Sequence, residues 1–259
     1  MKRISLILSW VVGLLTLSSC HVNSREMRSM MGKTKGPQVT RVLKGKYFSK
    51  IDADLVGDII YTQSDSVKIR LVGPKAEIER MQVSFKGDKL IIDMDDDKSI
   101  GLFRNKRSGV DVYVSGPDLI EVKVEGVSDF KAKKIDTDHL LASIDGVGDI
   151  QIDTLVCDSF KGVVDGTGDL RVGHLEAMSV NAKLDGTGSI KLSMVKVPNV
   201  KLSLDGTGDI RANVKDCGTV TTSVDGTGKV VLKGTCKHWI KYDDRNDDRP
   251  QELHDVNIK

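Results

Sequence analysis

The sequence predicts an all-β fold, a right-handed parallel β-helix with 20-residue coils. Two observations carry this prediction. The first is a motif that recurs every 20 residues without a slip. It reads Asp-Gly-Val-Gly-Asp from Asp145 and Asp-Gly-Thr-Gly-Asp from Asp165 and Asp205. From Asp185 it ends in Ser189, and from Asp225 it ends in Lys229. A decayed copy, Glu125 to Asp129, keeps the register one period earlier. The second observation is a set of apolar columns locked to that motif. Five residues after each Asp stand Phe130, Ile150, Leu170, Ile190, Ile210 and Val230. Further columns run through Ile152 and Val172, through Phe160, Val180, Val200, Val220 and Ile240, and through Ile144, Val164, Leu184 and Leu204.

Polar columns lie between the apolar ones. Lys131, Gln151, Arg171, Lys191 and Arg211 form one, and Ser143, Lys183, Ser203 and Ser223 another. Such alternation marks strands with one buried face. A strand pair and its turns cannot form a core within 20 residues. Stacking successive units buries the apolar columns as ladders about 4.8 Å apart. A leucine-rich repeat has a similar period, but its Leu and Asn pattern is missing. A left-handed hexapeptide helix would need multiples of six, and parallel crossovers favour the right hand.

Taken in chain order, residues 1–19 read as a signal peptide: Lys2 and Arg3, then an apolar run from Ile4 to Leu17. Leu17-Ser18-Ser19-Cys20 has the form of a lipobox, which makes Cys20 the expected lipidation site and the first mature residue. No second long apolar stretch follows, so no transmembrane helix is expected. Residues 20–40 read as a flexible tether. Residues 41–124 read as irregular first coils with longer excursions, a separate small β-domain being the alternative. Within them, Gly73 to Arg80 suggests a helical turn, and Asp93 to Ser108 a charged loop. Residues 125–242 are the regular coils. Residues 243–259 are a polar tail, read as a solvated end or a cap over the last coil.

Removal of residues 1–19 takes away two of the 39 basic residues and leaves 37 against 37 acidic ones. This balance argues against nucleic acid or an anionic membrane surface as the main partner.

A lipobox cysteine, the opening Phe48-Ser-Lys-Ile-Asp-Ala53, Gly57-Asp58-Ile59 with Gln63, and the Gly-x-Gly-Asp repeats together resemble the bacterial GIN-domain family of adhesin heads. The likeness covers roughly residues 47 to 235. It implies a right-handed β-helix in lipoproteins of Bacteroides-like bacteria. It implies no established reaction and no catalytic residues.

Among candidate sites, the sharpest is the ladder Asp145, Asp165, Asp185, Asp205 and Asp225. Stacked carboxylates repel unless a cation or hydrogen bonds offset them. One reading is a row of Ca²⁺ sites. The other is a row of Asx-type turns, each Asp accepting from the glycine amides after it. The second acidic column (Asp129, Asp149, Asp169, Asp209) breaks at Ser189 and Lys229 and runs beside the basic column, which points to a salt-bridged outer face without metal.

Thr167, Thr187, Thr207 and Thr227 form one column, expected to hydrogen-bond along its length. His139, His174, His238 and His254 share no column, and aromatics are 4% of the chain, which disfavours a glycosidase or lyase centre. Cys157 and Cys217 lie about 14 Å apart, too far to bridge. Cys217 and Cys236 fall on neighbouring coils and either form a disulfide or stay thiols.

The sequence thus leads to the expectation of a non-catalytic, cofactor-free lipoprotein of the cell envelope. It is expected at the outer membrane, anchored by lipid and presenting a rigid surface to a protein or glycan partner. A carbohydrate-active enzyme and a calcium-stabilised module are the alternatives.

Overall fold

The computed structural model describes residues 37–94, 109–243 and 247–258. The expected signal peptide, Cys20, most of the tether and residues 95–108 lie outside the described residues.

The chain forms a β-solenoid of about 6 turns with ~20-residue coils. The regular part holds β8 (Glu121–Val124), β9 (Val127–Ile144), β10 (Ile150–Val164), β11 (Thr167–Glu176) and β12 (Ser179–Leu184). It continues through β13 (Thr187–Val195), β14 (Asn199–Leu204), β15 (Thr207–Val224) and β16 (Thr227–Asp243). Every one of these pairs in parallel with its neighbour one coil away: Phe130 with Ile150, Ile150 with Leu170, Leu170 with Ile190, Ile190 with Ile210. Each coil contributes to two faces. The first face carries the residues from the motif to about ten positions on; the second carries 139–144 and its equivalents.

The motif-locked apolar columns point inward. Phe130, Ile150, Leu170, Ile190 and Ile210 are fully buried, as are Ile144, Val164, Leu184 and Leu204. Each such side chain contributes about 1.5–3 kcal/mol by leaving water. Stacking is therefore the source of the core, since no single coil encloses these residues.

The register slips where the chain departs from 20 residues. Leu175 faces Met194, and Cys217 faces Cys236, each a 19-residue step. The second slip corrects the sequence-derived column in the last coil. Trp239, not Ile240, lies beside Val220, and its indole N–H donates to the buried Thr222 hydroxyl at 3.0 Å.

The first half joins the same 17-stranded sheet and the same core, but its chain order is not its spatial order. The coil made by β2 (Lys50–Asp54) and β3 (Val56–Gln63) pairs in parallel with β8 and β9 on one side. On its other side it pairs in parallel with β6 (Lys89–Met94) and β7 (Asp111–Gly116). The later segment has folded back to lie before the earlier one. Three antiparallel strands then close this end. β4 (Lys68–Pro74) lies against β7, β1 (Gln38–Lys44) against β4, and β5 (Met81–Lys86) against β6. The single turn and a half of helix α1 (Lys75–Arg80) links β4 to β5 and buries Ile78. At the opposite end β17 (Asp247–Ile258) runs antiparallel along β16 and covers the last coil. Antiparallel strands at both ends shield edges that would otherwise add further chains.

Side chains also tie the first coil to the second. Tyr61 stacks on Phe130 with ring centroids 6.2 Å apart, and its hydroxyl donates to Gly116 O at 3.0 Å. The Gln63 amide acts as a piece of backbone. Its Nε2 donates to Asp136 O at 2.7 Å and its Oε1 accepts from Asp136 N at 2.8 Å.

The corners explain the glycines. A Cβ on Gly208, at φ 144°, would lie 1.8 Å from the carbonyl oxygen of Gly188. On Gly228 it would lie 1.7 Å from Gly208 O. Only a residue without Cβ lets two coils meet there at strand spacing. Gly208→Ala is expected to destabilise the stack by about 2–4 kcal/mol and to lower Tm by roughly 5–15 °C. Ser193→Ala, on an open outer column, serves as the control and is expected to leave Tm within about 2 °C. Thermal melts followed by circular dichroism check both.

Candidate functional site: the outer faces of the coil stack

The Asp ladder lies exposed along one corner. Backbone bonds between coils hold this corner. The amides of Asp165 and Gly166 both donate to Ile144 O, at 2.9 and 3.0 Å, and Thr167 N donates to Gly146 O at 2.9 Å. The same three bonds recur at Asp185, Asp205 and Asp225. The first glycine's amide therefore serves the preceding coil, and that of Gly148 donates to Thr167 O of the following coil at 3.0 Å, so the Asx-turn expectation is corrected.

The carboxylates meet lysines instead. Lys183 Nζ lies 2.8 Å from Asp185 and 2.9 Å from Asp205, bridging two coils. Lys123 bridges Glu125 and Asp145 in the same way, 2.9 Å from the latter. Hydrogen bonds to these carboxylates hold both lysine pKa values above their ordinary range, those to Asp185 and to Glu125 contributing most. Among the described residues no group of three or more His, Cys, Asp or Glu side chains gathers as a metal cluster.

The second acidic column works differently. Asp129 is almost fully buried, and its Oδ1 accepts from the amide of Asp149 at 3.1 Å. Asp149 accepts from Asp169 N at 2.9 Å, and Asp169 accepts from the Ser189 hydroxyl at 2.8 Å. Each carboxylate staples its coil to the next. The basic column beside it neutralises the charge. Lys131 lies 3.0 Å from Asp58 and 3.6 Å from Asp129, and Asp169 meets both Arg171 and Lys191 at 3.4 Å. Arg211 pairs with Asp209. The salt-bridged outer face expected from the sequence is present.

Other columns behave unexpectedly. Thr187, Thr207 and Thr227 are exposed, and their hydroxyls do not bond along the column as anticipated. The histidine columns change too. The 19-residue step puts His238 opposite Thr219, in the column that starts at His139, and opposite His254 of β17. His139 and His238 remain at opposite ends of that column. His174 meets Glu176 at 2.8 Å on the surface.

Cys217 and Cys236 stand directly opposite each other on adjacent coils, both buried and both thiols here. Burial pushes both thiol pKa values up. Cys157, on its own, is pushed up to about 11 by burial and by the nearby Asp158.

Shallow grooves cross the faces of the described coils, one of about 440 Å³ passing Thr62, Lys131, Lys133, Gln151 and Asp153 in the proximal coils. On the first face, a groove of about 310 Å³ runs past Arg171, Gly173, Lys191, Ser193, Arg211 and Lys233. On the second, one of about 490 Å³ runs past His139, Ser159, Lys161, Ser179, Asn199 and Lys201. The first-face groove has a signal in the sequence, a column of small residues, Gly173, Ser193 and Asn213, eight positions after the Asp.

The geometry defines a β-solenoid module with a repetitive outer surface. The model of the family described as "Putative auto-transporter adhesin, head GIN domain" matches residues 47–236, and the chain belongs to that family. Among solved structures, a "putative adhesin" from Bacteroides fragilis NCTC 9343 is similar at 26% identity and TM-score 0.59, over 81% of this chain and 98% of that one. A "putative adhesin" from Parabacteroides merdae ATCC 43184 shares the fold at 17% identity and TM-score 0.63, over 82% and 94% of the two chains. No curated protein matches the chain. The family and these neighbours are adhesin-like, which supports a binding or adhesion module of the cell surface or envelope.

A raised thiol pKa means that the unfolded chain ionises first, so stability falls as pH rises above about 8.5 towards the folded value. Iodoacetamide at mildly alkaline pH is expected to leave Cys157 unlabelled in the folded protein and to label it after denaturation. Cys217 and Cys236 are expected to label at the same step without reductant, and labelling only after reduction would show that they pair. Intact mass spectrometry reads both outcomes.

Proposed function

We propose that this chain is a non-catalytic binding head, held at the outer membrane by a lipid on Cys20 and presenting its coil faces to a protein or glycan partner. The observation that carries this reading is the recurrence of paired acidic and basic columns along the outer face of the stack. The carboxylates of the first face staple coils or pair with bases, as Asp129, Asp149, Asp169 and Asp209 do. A reaction centre needs carboxylates and bases free to converge on one bond. A row of equivalent groups about 4.8 Å apart instead suits multipoint contact with an extended partner.

The placement of the N-terminal cap supports the same reading. β1 starts at Gln38 on the outermost strand of the capped end. A tether from Cys20 joins that end, so the coils of residues 165–243 stand farthest from the anchor. Seventeen tether residues span at most about 60 Å when extended. Overall neutrality of the mature chain keeps it from lying flat on an anionic membrane.

Expression in a bacterium of the Bacteroides type with an alkyne fatty acid tests the anchor. The expected result is label on the wild type, none on Cys20→Ala, and transfer of that variant from the membrane to the soluble fraction. Retention of unlabelled Cys20→Ala in membranes would overturn the anchor.

A further inference from the structure

We propose that the first face of the distal coils, from Asp165 to Lys233, is a groove for a linear acidic glycan built of hexuronate units. This rests on the reading of the chain as an envelope binding head and names the ligand class of its first face.

The argument begins where the repeat fails. Along most of this face each base has an acid beside it. In the proximal coils Lys131 sits between Asp58 and Asp129. In the distal coils the acidic column is interrupted twice, by Ser189 and by Lys229, while the basic column continues through Arg171, Lys191 and Arg211. Lys233 adds a further cation in the next outward column. Four bases, Arg171, Lys191, Arg211 and Lys233, line the groove on this face, while the ladder carboxylates of Asp165, Asp185, Asp205 and Asp225 belong to the neighbouring corner. Arg171 and Lys191 share Asp169 at 3.4 Å each, and Arg211 occupies Asp209. Lys229 and Lys233 make no ion pair among the described residues. The balanced whole-chain charge therefore hides a groove whose charged lining is basic.

Shape selects among anions. The groove of about 310 Å³ is walled by Arg171, Lys191 and Arg211 in single file, with Lys233 at its far end. Parallel register sets these side chains one coil apart, about 4.8 Å. Gly173, Ser193 and Asn213 form a strip of small residues along the groove, with Asn213 Nδ2 donating to Ser193 Oγ at 3.4 Å, beside the apolar Val172, Leu192, Ala212 and Val231. No carboxylate lines it. A polymer carrying one carboxylate per sugar, advancing by close to one coil per unit, sets its charges against the file of bases and its hydroxyls against this strip. A single-stranded nucleic acid would want aromatic platforms, and none lines the groove. A membrane surface would want cations spread over a plane, not recessed along a line.

Each exposed cation contributes little alone, so binding is multivalent and salt-sensitive. The full chain, held in neutral phosphatidylcholine vesicles, is tested by calorimetry with polygalacturonate, with dextran as the neutral polymer and with phosphatidylglycerol vesicles. Polygalacturonate is expected to bind, and to weaken roughly tenfold or more from low to high salt. Lys229→Glu with Lys233→Glu, which breaks no ion pair, is expected to weaken it at least about tenfold with Tm retained. Lys161→Glu with Lys201→Glu, on the second face, is expected to leave it unchanged. The proposal falls if polygalacturonate does not bind at low salt, or if dextran binds equally. It also falls if the second-face variant loses binding equally, or if phosphatidylglycerol vesicles bind as tightly through the same lysines. In each of those cases lipid labelling of Cys20 still stands or fails by itself, so the envelope-head reading is judged separately.

Discussion

The structure depends on one contact, the approach of backbone to backbone at the Asp-Gly corner. Gly188, Gly208 and Gly228 each sit where a Cβ would fall within 2 Å of the carbonyl one coil earlier. Strand spacing on both faces is fixed by hydrogen bonds, and the corner must close to the same spacing. A side chain there would wedge the coils apart and strain both ladders. The glycines also take a positive φ that other residues rarely adopt. The repetition of the motif is therefore a packing requirement first, and any surface chemistry is carried along with it.

That requirement creates an electrostatic problem. Identical residues on successive coils put like charges about 4.8 Å apart. The chain answers in two ways. On the corner, Lys123 and Lys183 bridge pairs of carboxylates from adjacent coils. On the first face, Asp129 and Asp149 accept backbone amides of the next coil and lean on the basic column. Exposed pairs of this kind contribute little individually. Their larger effect is to let a charged, soluble surface coexist with strict repetition. The acidic column breaks at Ser189 and Lys229, and beside the first break Lys191 shares Asp169 with Arg171.

A stack of coils has two open ends, and the chain covers both by abandoning the parallel pattern. β1, β4 and β5 close one end and β17 the other, all antiparallel. The segment that forms the first cap is the one whose sequence lacks the period. Asp93 and Gly109, the nearest described residues around 95–108 that take part in these contacts, align with Asp54 and Val56 of the neighbouring coil.

Much of this was readable from residues alone. The period of the motif and the apolar columns determined the coil, its length and its inward side chains, because stacking in register lets each column be seen in one dimension. Membership of the GIN-domain family followed from the same motifs. Tertiary structure decided what depends on neighbours that are distant in sequence. Only the register shows that Trp239 replaces Ile240 in the core, because one missing residue between Val214 and Cys217 and their partners shifts every later column. The fold-back of β6 and β7 ahead of β2 and β3 was hidden because irregular strands carry no mark of which edge they join. The glycine amides at the corner chose backbone carbonyls over Asp side chains, a choice between acceptors that composition cannot rank. The distal groove needed both kinds of information: the sequence shows where the acid column breaks, and the stack shows that the remaining bases stand in one file.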